Sequence, residues 1–500
     1  MLSLIIRPLD IAVILLFLVG MAAVGVYFAT RNKSTEDYFL GNRSFPGWAI
    51  GLSMLGTSIS SVTFLALPAA AFVLDYRNIV PNLMLPFVAV AAILIFIPIF
   101  RKGRITSAFE YLEGRFGHLI RLYASLSFIV LQLLRLSTVL YLVSIPISIL
   151  TGQSIILVVI VGGVFIGFYT VLGGFEAVIW TDVVQTLILL LGGILCFISI
   201  MTALPEGLPQ IFEIGREYDK FSIGPIEWGL NQRTFFVMAI MGLISFTTEY
   251  SSNQNVIQRY LAAKTMKEAR KATLLCAVMS VPMWLLFFFL GTCLFVYYKV
   301  YPSQAVTEMN ADQILPYFIL TKIPAGVAGL IVAACLAAAM SSLDSSINSI
   351  ATIFTVDVLK RYLAKNADDA YYLAKAKLVS MAAGVLMILG AIAFDNIPRE
   401  SMVDLGFILN SVFGGCVLGI YMLGFFAKRV GYKAILIGTA SAIIVNIYLM
   451  MNYFGWLPQT LSVNVHAYAT VLIVNAVLIV VSLLVSFISS PESEIELAAA

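Results

Sequence analysis

The chain has 500 residues, of which 61% are hydrophobic and only 11% charged, and its net charge is +3 at neutral pH. Soluble domains are nearly half apolar and about a quarter charged, so this balance excludes a soluble enzyme or a nucleic-acid binder. It indicates one polytopic membrane domain over 1–500. Five cysteines, Cys196, Cys276, Cys293, Cys335 and Cys416, lack CxxC or Cys/His spacing and read as small buried hydrophobes.

Taking apolar runs of about 20 residues as spans, thirteen are predicted: 9–30, 47–74, 82–100, 118–150, 154–172, 176–202, 233–255, 272–299, 324–358, 378–396, 402–427, 433–455 and 467–489. The apolar stretch of the first, 11–29, follows Arg7 and Asp10 and lacks a convincing small-residue cleavage site, so it reads as a retained span rather than a signal peptide. Most of the 30 Lys and Arg residues fall in alternate connections, around 31–43, 101–121, 259–271, 360–377 and 428–433. Such connections face the cytoplasm, which puts the N-terminus outside and the C-terminal tail inside. The stretch at 205–231 reads as an external loop with short interfacial helices; those at 259–271 and 360–377 read as solvated connectors.

Four polar constellations interrupt the apolar spans. The run at 47–74 carries Ser53, Gly56, Thr57, Ser58, Ser60, Ser61 and Thr63, either a small-residue packing face or a discontinuous helix lining a cavity. In the run at 176–202, Asp182 lies about two turns in, where it can be solvated, anchor a cation or pair with a base. In the run at 324–358, Ala338, Ser341, Ser342 and Ser345 share one helical face, with Asp344 among them. These positions either allow close packing or offer hard oxygens to sodium. Finally, Arg135 lies mid-span. Its ionised fork suits a carboxylate, either an internal one from Glu249 or Asp182, or that of an anionic solute.

The run DYFLGNR at 37–43, the hydroxyls from Gly56 to Thr63, Gly173 and Gly174 with Trp180, Thr181 and Asp182, the run NQNVIQRY at 253–260, and Ser341, Ser342, Asn348 and Ser349 together resemble the sodium/solute symporters over nearly the whole chain. The resemblance implies an all-α, LeuT-like membrane fold: two inverted five-helix repeats at 47–202 and 233–427, one extra N-terminal helix at 9–30 and two C-terminal helices at 433–489. It implies a first sodium site of Gly56, Ile59, Ala338, Ser341 and Ser342. A second site, present in some members, corresponds to Asp182, Ser341, Asp344 and Ser345. Members with that site often have a hydroxyl where Asp344 stands, so the carboxylate strengthens it, replaces it with proton chemistry, or leaves it unused.

Within the family, Arg135 and the hydroxyls of the second run resemble the bacterial sialic acid symporters. That likeness implies solute contacts from Ser58, Ser60, Thr63, Asn82 and Arg135. Phe246, in an expected unwound part of the run at 233–255, reads either as a cover over the solute from inside or as an ordinary core aromatic. Ser58 stands where a Thr is expected, and Asn82 where a Gln is expected. The implied protein is a monomeric, non-enzymatic importer of a small anionic solute, coupled to one or two Na+ ions, in a bacterial inner membrane. The alternatives are a sodium symporter for another carboxylate, a vitamin, a neutral sugar or an amino acid, and a membrane sensor, which the short tail after Phe487 disfavours.

Overall fold

The computed structural model describes residues 7–29, 34–103, 105–229, 233–395, 414, 416–453, 455–465 and 469–488, and these are almost entirely helical. Helix α1 (Pro8–Ala29) is anchored where it begins. The Asp10 carboxylate, 2.8 Å from Arg7, accepts the N–H groups of Gly326 (2.6 Å) and Gly329 (2.8 Å). These lie at the start of a later helix, whose first N–H groups have no intrahelical acceptor. The short α2 (Thr35–Leu40) begins on the Ser34 hydroxyl and stops at Gly41, whose φ of 51° favours glycine.

The second apolar run is discontinuous. Helix α3 (Gly47–Ser58) ends where Ile59 turns extended, with φ −102° and ψ 94°. A π-helical turn, Val62–Ala66, then leads into α4 (Leu67–Val73), and the two halves are bent by 56°. The Ser60 hydroxyl takes the Val62 N–H at 3.2 Å, a local bond that competes with the helical ladder. Helices α5 (Leu85–Ala91) and α6 (Ile97–Lys102) share one span. After the short α7 (Glu110–Phe116) comes α8 (His118–Thr151).

Helix α9 (Ile155–Ala203) runs 49 residues, but Gly174 inside it has φ 63° and ψ −169°. At 1.5 Å per residue it is about 74 Å long, more than twice the roughly 30 Å hydrocarbon core. It therefore supplies both spans expected over 154–202. The short α10 (Leu208–Glu217) is followed by α11 (Phe235–Ser252) and α12 (Gln254–Ala262), these two separated by the extended Asn253. Thus a second span is broken. A parallel bridge between Phe45 and Ala263 ties the entrance of one broken span to the exit of the other. Here the expectation at 259–271 needs correction: Gln254, Asn255, Gln258, Arg259 and Tyr260 are buried inside the bundle, and α12 ends only at Ala262.

Helix α13 (Met266–Val300) is followed by α14 (Gln304–Thr307) and α15 (Ala311–Lys322); neither of these two short helices was expected. Helix α16 (Val327–Ile353), extended by a π-helical stretch, Phe354–Leu363, is the most enclosed of the membrane-length helices, buried along nearly its whole length. The described chain ends with α17 (Asp369–Asp395), α18 (Val417–Phe426), α19 (Tyr432–Tyr453) and α20 (Thr470–Ile488). Among the described residues ten helices are long and apolar enough to cross a membrane, and the bent pair adds an eleventh span. Counting α9 twice gives twelve. The one remaining run, 402–427, lies largely outside the described residues, with α18 within its described part.

Candidate functional site

Both broken spans and α16 converge on the centre of the bundle. At the break in the first, the carbonyl oxygen of Thr57 accepts two hydrogen bonds, from Ser342 Oγ at 3.1 Å and from Arg135 Nη2 at 3.2 Å. A carbonyl has two lone pairs, so one backbone oxygen satisfies both donors. Gly56 lets α3 come close to α9 and α16: a Cβ there would overlap Thr186 Oγ1 and lie 2.9 Å from Ser341 Oγ. Gly56, Ile59, Ala338, Ser341 and Ser342, expected as the first sodium site, all lie buried where α3 ends against α16. Carbonyls released by a helix break and two serine hydroxyls are the hard, neutral oxygens that a small monovalent cation takes up.

Of the four residues expected as a second sodium site, Asp182, Ser341 and Ser345 share one hydrogen-bonded cluster with Arg259, and Asp344 hydrogen-bonds to other residues. Asp182 accepts from Ser341 Oγ and Ser53 Oγ, each at 2.5 Å, and from Arg259 Nη2 at 2.8 Å. Arg259, 1% exposed, also donates to Ser53 (2.9 Å), Thr57 Oγ1 (2.6 Å) and Ser345 Oγ (2.7 Å). A permanent cation therefore already answers the Asp182 charge and holds Ser345. Asp344 has its own hydrogen-bond partners. Tyr169 Oη donates to its two oxygens at 2.6 Å, and Thr170 Oγ1 lies 2.5 Å from Oδ1.

Beside the Thr57 carbonyl lies a cavity of about 400 Å³, within the range of small-molecule sites. Ser58, Ser60, Asn82, Arg135 and Phe246, all expected as solute contacts, line it together with Gln132, Thr248 and Glu249. Thr63 does not; it is buried in the π-helical turn beyond. Phe246 sits in regular helix, since the break in this span comes later, at Asn253, and its ring packs 5.6 Å from Trp284. The internal partner of Arg135 is Glu249, 3.9 Å away, rather than Asp182. At that separation the two are an ion pair without a hydrogen bond.

Arg259 is the main residue that sequence reasoning misplaced, as one more charge of an internal loop. Its signal was in the run at 253–260, where Gln254, Asn255 and Gln258 are also buried. Without the tertiary contacts that polarity is indistinguishable from a solvated connector.

Discontinuous helices around a central, largely apolar cavity with a few convergent polar side chains define a membrane-embedded transporter of LeuT-like fold. The chain belongs to the sodium:solute symporter family, whose model matches residues 38–441. Among proteins similar to it is the sodium/sialic acid symporter SiaT of Proteus mirabilis, 36% identical over 87% of this chain and 88% of that protein. Another is the sodium/sialic acid symporter NanT of Aliivibrio fischeri, 33% identical over 91% of each. A solved structure of a Na+-coupled sialic acid symporter, substrate-bound and outward-open with a novel Na+ site, aligns over 97% of this chain and 99% of its own, with a TM-score of 0.88 and 32% identity. The fold also extends to Mhp1, a nucleobase-cation-symport-1 transporter, at a TM-score of 0.59 and 15% identity.

Proposed function

We propose that this protein imports sialic acid together with sodium by alternating access. The observation that carries the reading is Arg135, which faces the cavity, rests one N–H on the Thr57 carbonyl and has no carboxylate at hydrogen-bond distance among the described residues. Its remaining donors suit a solute carboxylate. Ser58, Ser60 and Asn82 supply hydroxyl and amide contacts for a sugar acid, Phe246 supplies an apolar face, and Thr63 supports the turn from behind. Two relatives and one structural neighbour that carry sialic acid support this substrate.

Sodium is taken up by the carbonyls of Gly56, Ile59 and Ala338 with the hydroxyls of Ser341 and Ser342. It stabilises the α3 break against α16 and so fixes the Thr57 carbonyl on which Arg135 rests. Solute and ion thereby favour one conformation, and the coupling is reciprocal. A second sodium at Asp182, Ser341, Asp344 and Ser345 would have to share Asp182 with Arg259. Each sodium entering the cell gains about 2.3 kcal/mol per 100 mV of membrane potential. The two halves at 47–202 and 233–427 rock about this site. The protein works as a monomer in a bacterial inner membrane, its N-terminus outside, and performs no covalent chemistry.

The test is uptake by reconstituted protein with and without an imposed sodium gradient, offering sialic acid beside a panel of small anions. Sodium-dependent accumulation of sialic acid is expected. Accumulation of another solute in its place would overturn the substrate. Reversal potentials measured on the same vesicles give the number of sodium ions per solute.

A further inference from the structure

We infer that Glu249 determines specificity in the solute cavity, restricting it to acids that also carry several O–H or N–H donors. The inference rests on the reading of Arg135 as the carboxylate receptor. Glu249 lines the same cavity, with its carboxylate 3.9 Å from the Arg135 guanidinium. Its Oε2 accepts from Asn253 Nδ2 at 2.7 Å. A carboxylate has about four acceptor positions and no donor. Neither Asn253 nor the distant guanidinium fills the Oε1 side, so acceptor capacity remains where a solute would sit.

This arrangement treats two kinds of acid differently. A plain carboxylate that hydrogen-bonds to Arg135 must approach the negative charge of Glu249 and brings nothing for it to accept. It also shields Glu249 from solvent without giving it a hydrogen-bond donor in return, and both effects count against binding. An acid with a polyhydroxylated chain or an amide N–H places donors on Glu249 while its own carboxylate occupies Arg135. The charge that repels one class then holds the other, which is selection by a repulsive element as much as by an attractive one. Asn253 gives the contact a further consequence. As the extended residue between α11 and α12, it connects a solute bound to Glu249 with the break in that span.

The experiment is competition against sialic acid uptake in proteoliposomes at saturating sodium, comparing wild type with Glu249→Gln. Pyruvate and propionate serve as plain acids, and gluconate as the donor-rich acid. In the wild type, gluconate competes and the plain acids do not. Glu249→Gln raises the apparent affinity of the plain acids about tenfold or more relative to sialic acid, corresponding to about 1.4 kcal/mol of altered discrimination. Glu249→Asp, which keeps the charge, retains the wild-type order and serves if the amide variant misfolds. An unchanged ratio in Glu249→Gln, or loss of discrimination in Glu249→Asp, overturns the inference. If wild-type protein takes up no sialic acid, the substrate reading fails instead. Ligand-induced thermal shifts with the same acids then still compare the variants: a changed order supports the role of Glu249, and an unchanged order overturns it.

Discussion

Ser342 and Arg135 donate to the same atom, the carbonyl oxygen of Thr57, at 3.1 and 3.2 Å. One residue belongs to the proposed sodium site and the other to the solute cavity, so any movement of the break is felt at both. Ser342→Ala is expected to raise the sodium concentration for half-maximal uptake about tenfold, the loss of one hydrogen bond of about 1–1.5 kcal/mol. It should also weaken solute binding at low sodium. Calorimetric titrations at several sodium concentrations check this, and an unchanged solute affinity throughout would dissociate the two sites.

Arg135→Lys keeps the charge but loses the planar fork. It is expected to weaken sialic acid binding by at least about tenfold while leaving the melting temperature near that of the wild type, because Arg135 is partly exposed to the cavity. Direct binding and thermal unfolding measured on one preparation separate a role in recognition from a role in folding.

The buried pair Asp182–Arg259 behaves differently. Removing either partner strands a charge inside the bundle at a cost of about 3–5 kcal/mol. Arg259→Met or Asp182→Asn alone should therefore greatly lower expression and thermal stability. Together they should recover part of the loss, since no uncompensated charge remains. Melting temperatures in detergent for the two single variants and the double one form the thermodynamic cycle that tests this.

At Gly56 the constraint is space. A methyl group there meets Thr186 Oγ1 of α9 and Ser341 Oγ of α16, so Gly56→Ala should force α3 away from both helices and damage sodium activation, and Gly56→Leu should do so more severely. Sodium-dependent uptake normalised to folded protein checks the order Gly, Ala, Leu.

Asp75 gives a pH dependence outside the membrane spans. Burial pushes its carboxyl up, but side-chain hydrogen bonds from Arg77 at 2.8 Å, the Arg77 backbone N–H at 2.9 Å and the guanidinium charge together hold it below the ordinary carboxylate value. A carboxyl depressed in the folded state stabilises fully above its unfolded pKa, about 3.9, and that contribution is lost as pH falls through the lower folded value. The melting temperature is expected to fall on acidification below about pH 4, and Asp75→Asn should flatten that part of the curve.

How much was legible beforehand differs between fold and site. The bounds of α1, α8 and α11 follow the apolar runs closely, because the length of a membrane helix is set by the bilayer and is written locally. The break in the first span was announced by its hydroxyls. Phe246 shows the limit: its presence in the cavity was foreseen, but not the position of the break, which falls at Asn253, whose side chain caps the next helix at Asn255 N.

By itself the sequence determined the membrane class, nearly all the spans, the resemblance to a symporter family and the serines of α16, since hydropathy and helical spacing are properties of neighbouring residues. Tertiary structure alone decided which charges meet. Arg259 reaches Asp182 across 77 positions, leaving Arg135 with Glu249 and its fork open to the cavity. Asp344 turns to Tyr169 instead of joining Asp182. The physical reason is that a buried charge must find a partner or remain unsatisfied, and which partner lies within reach depends on how distant helices pack.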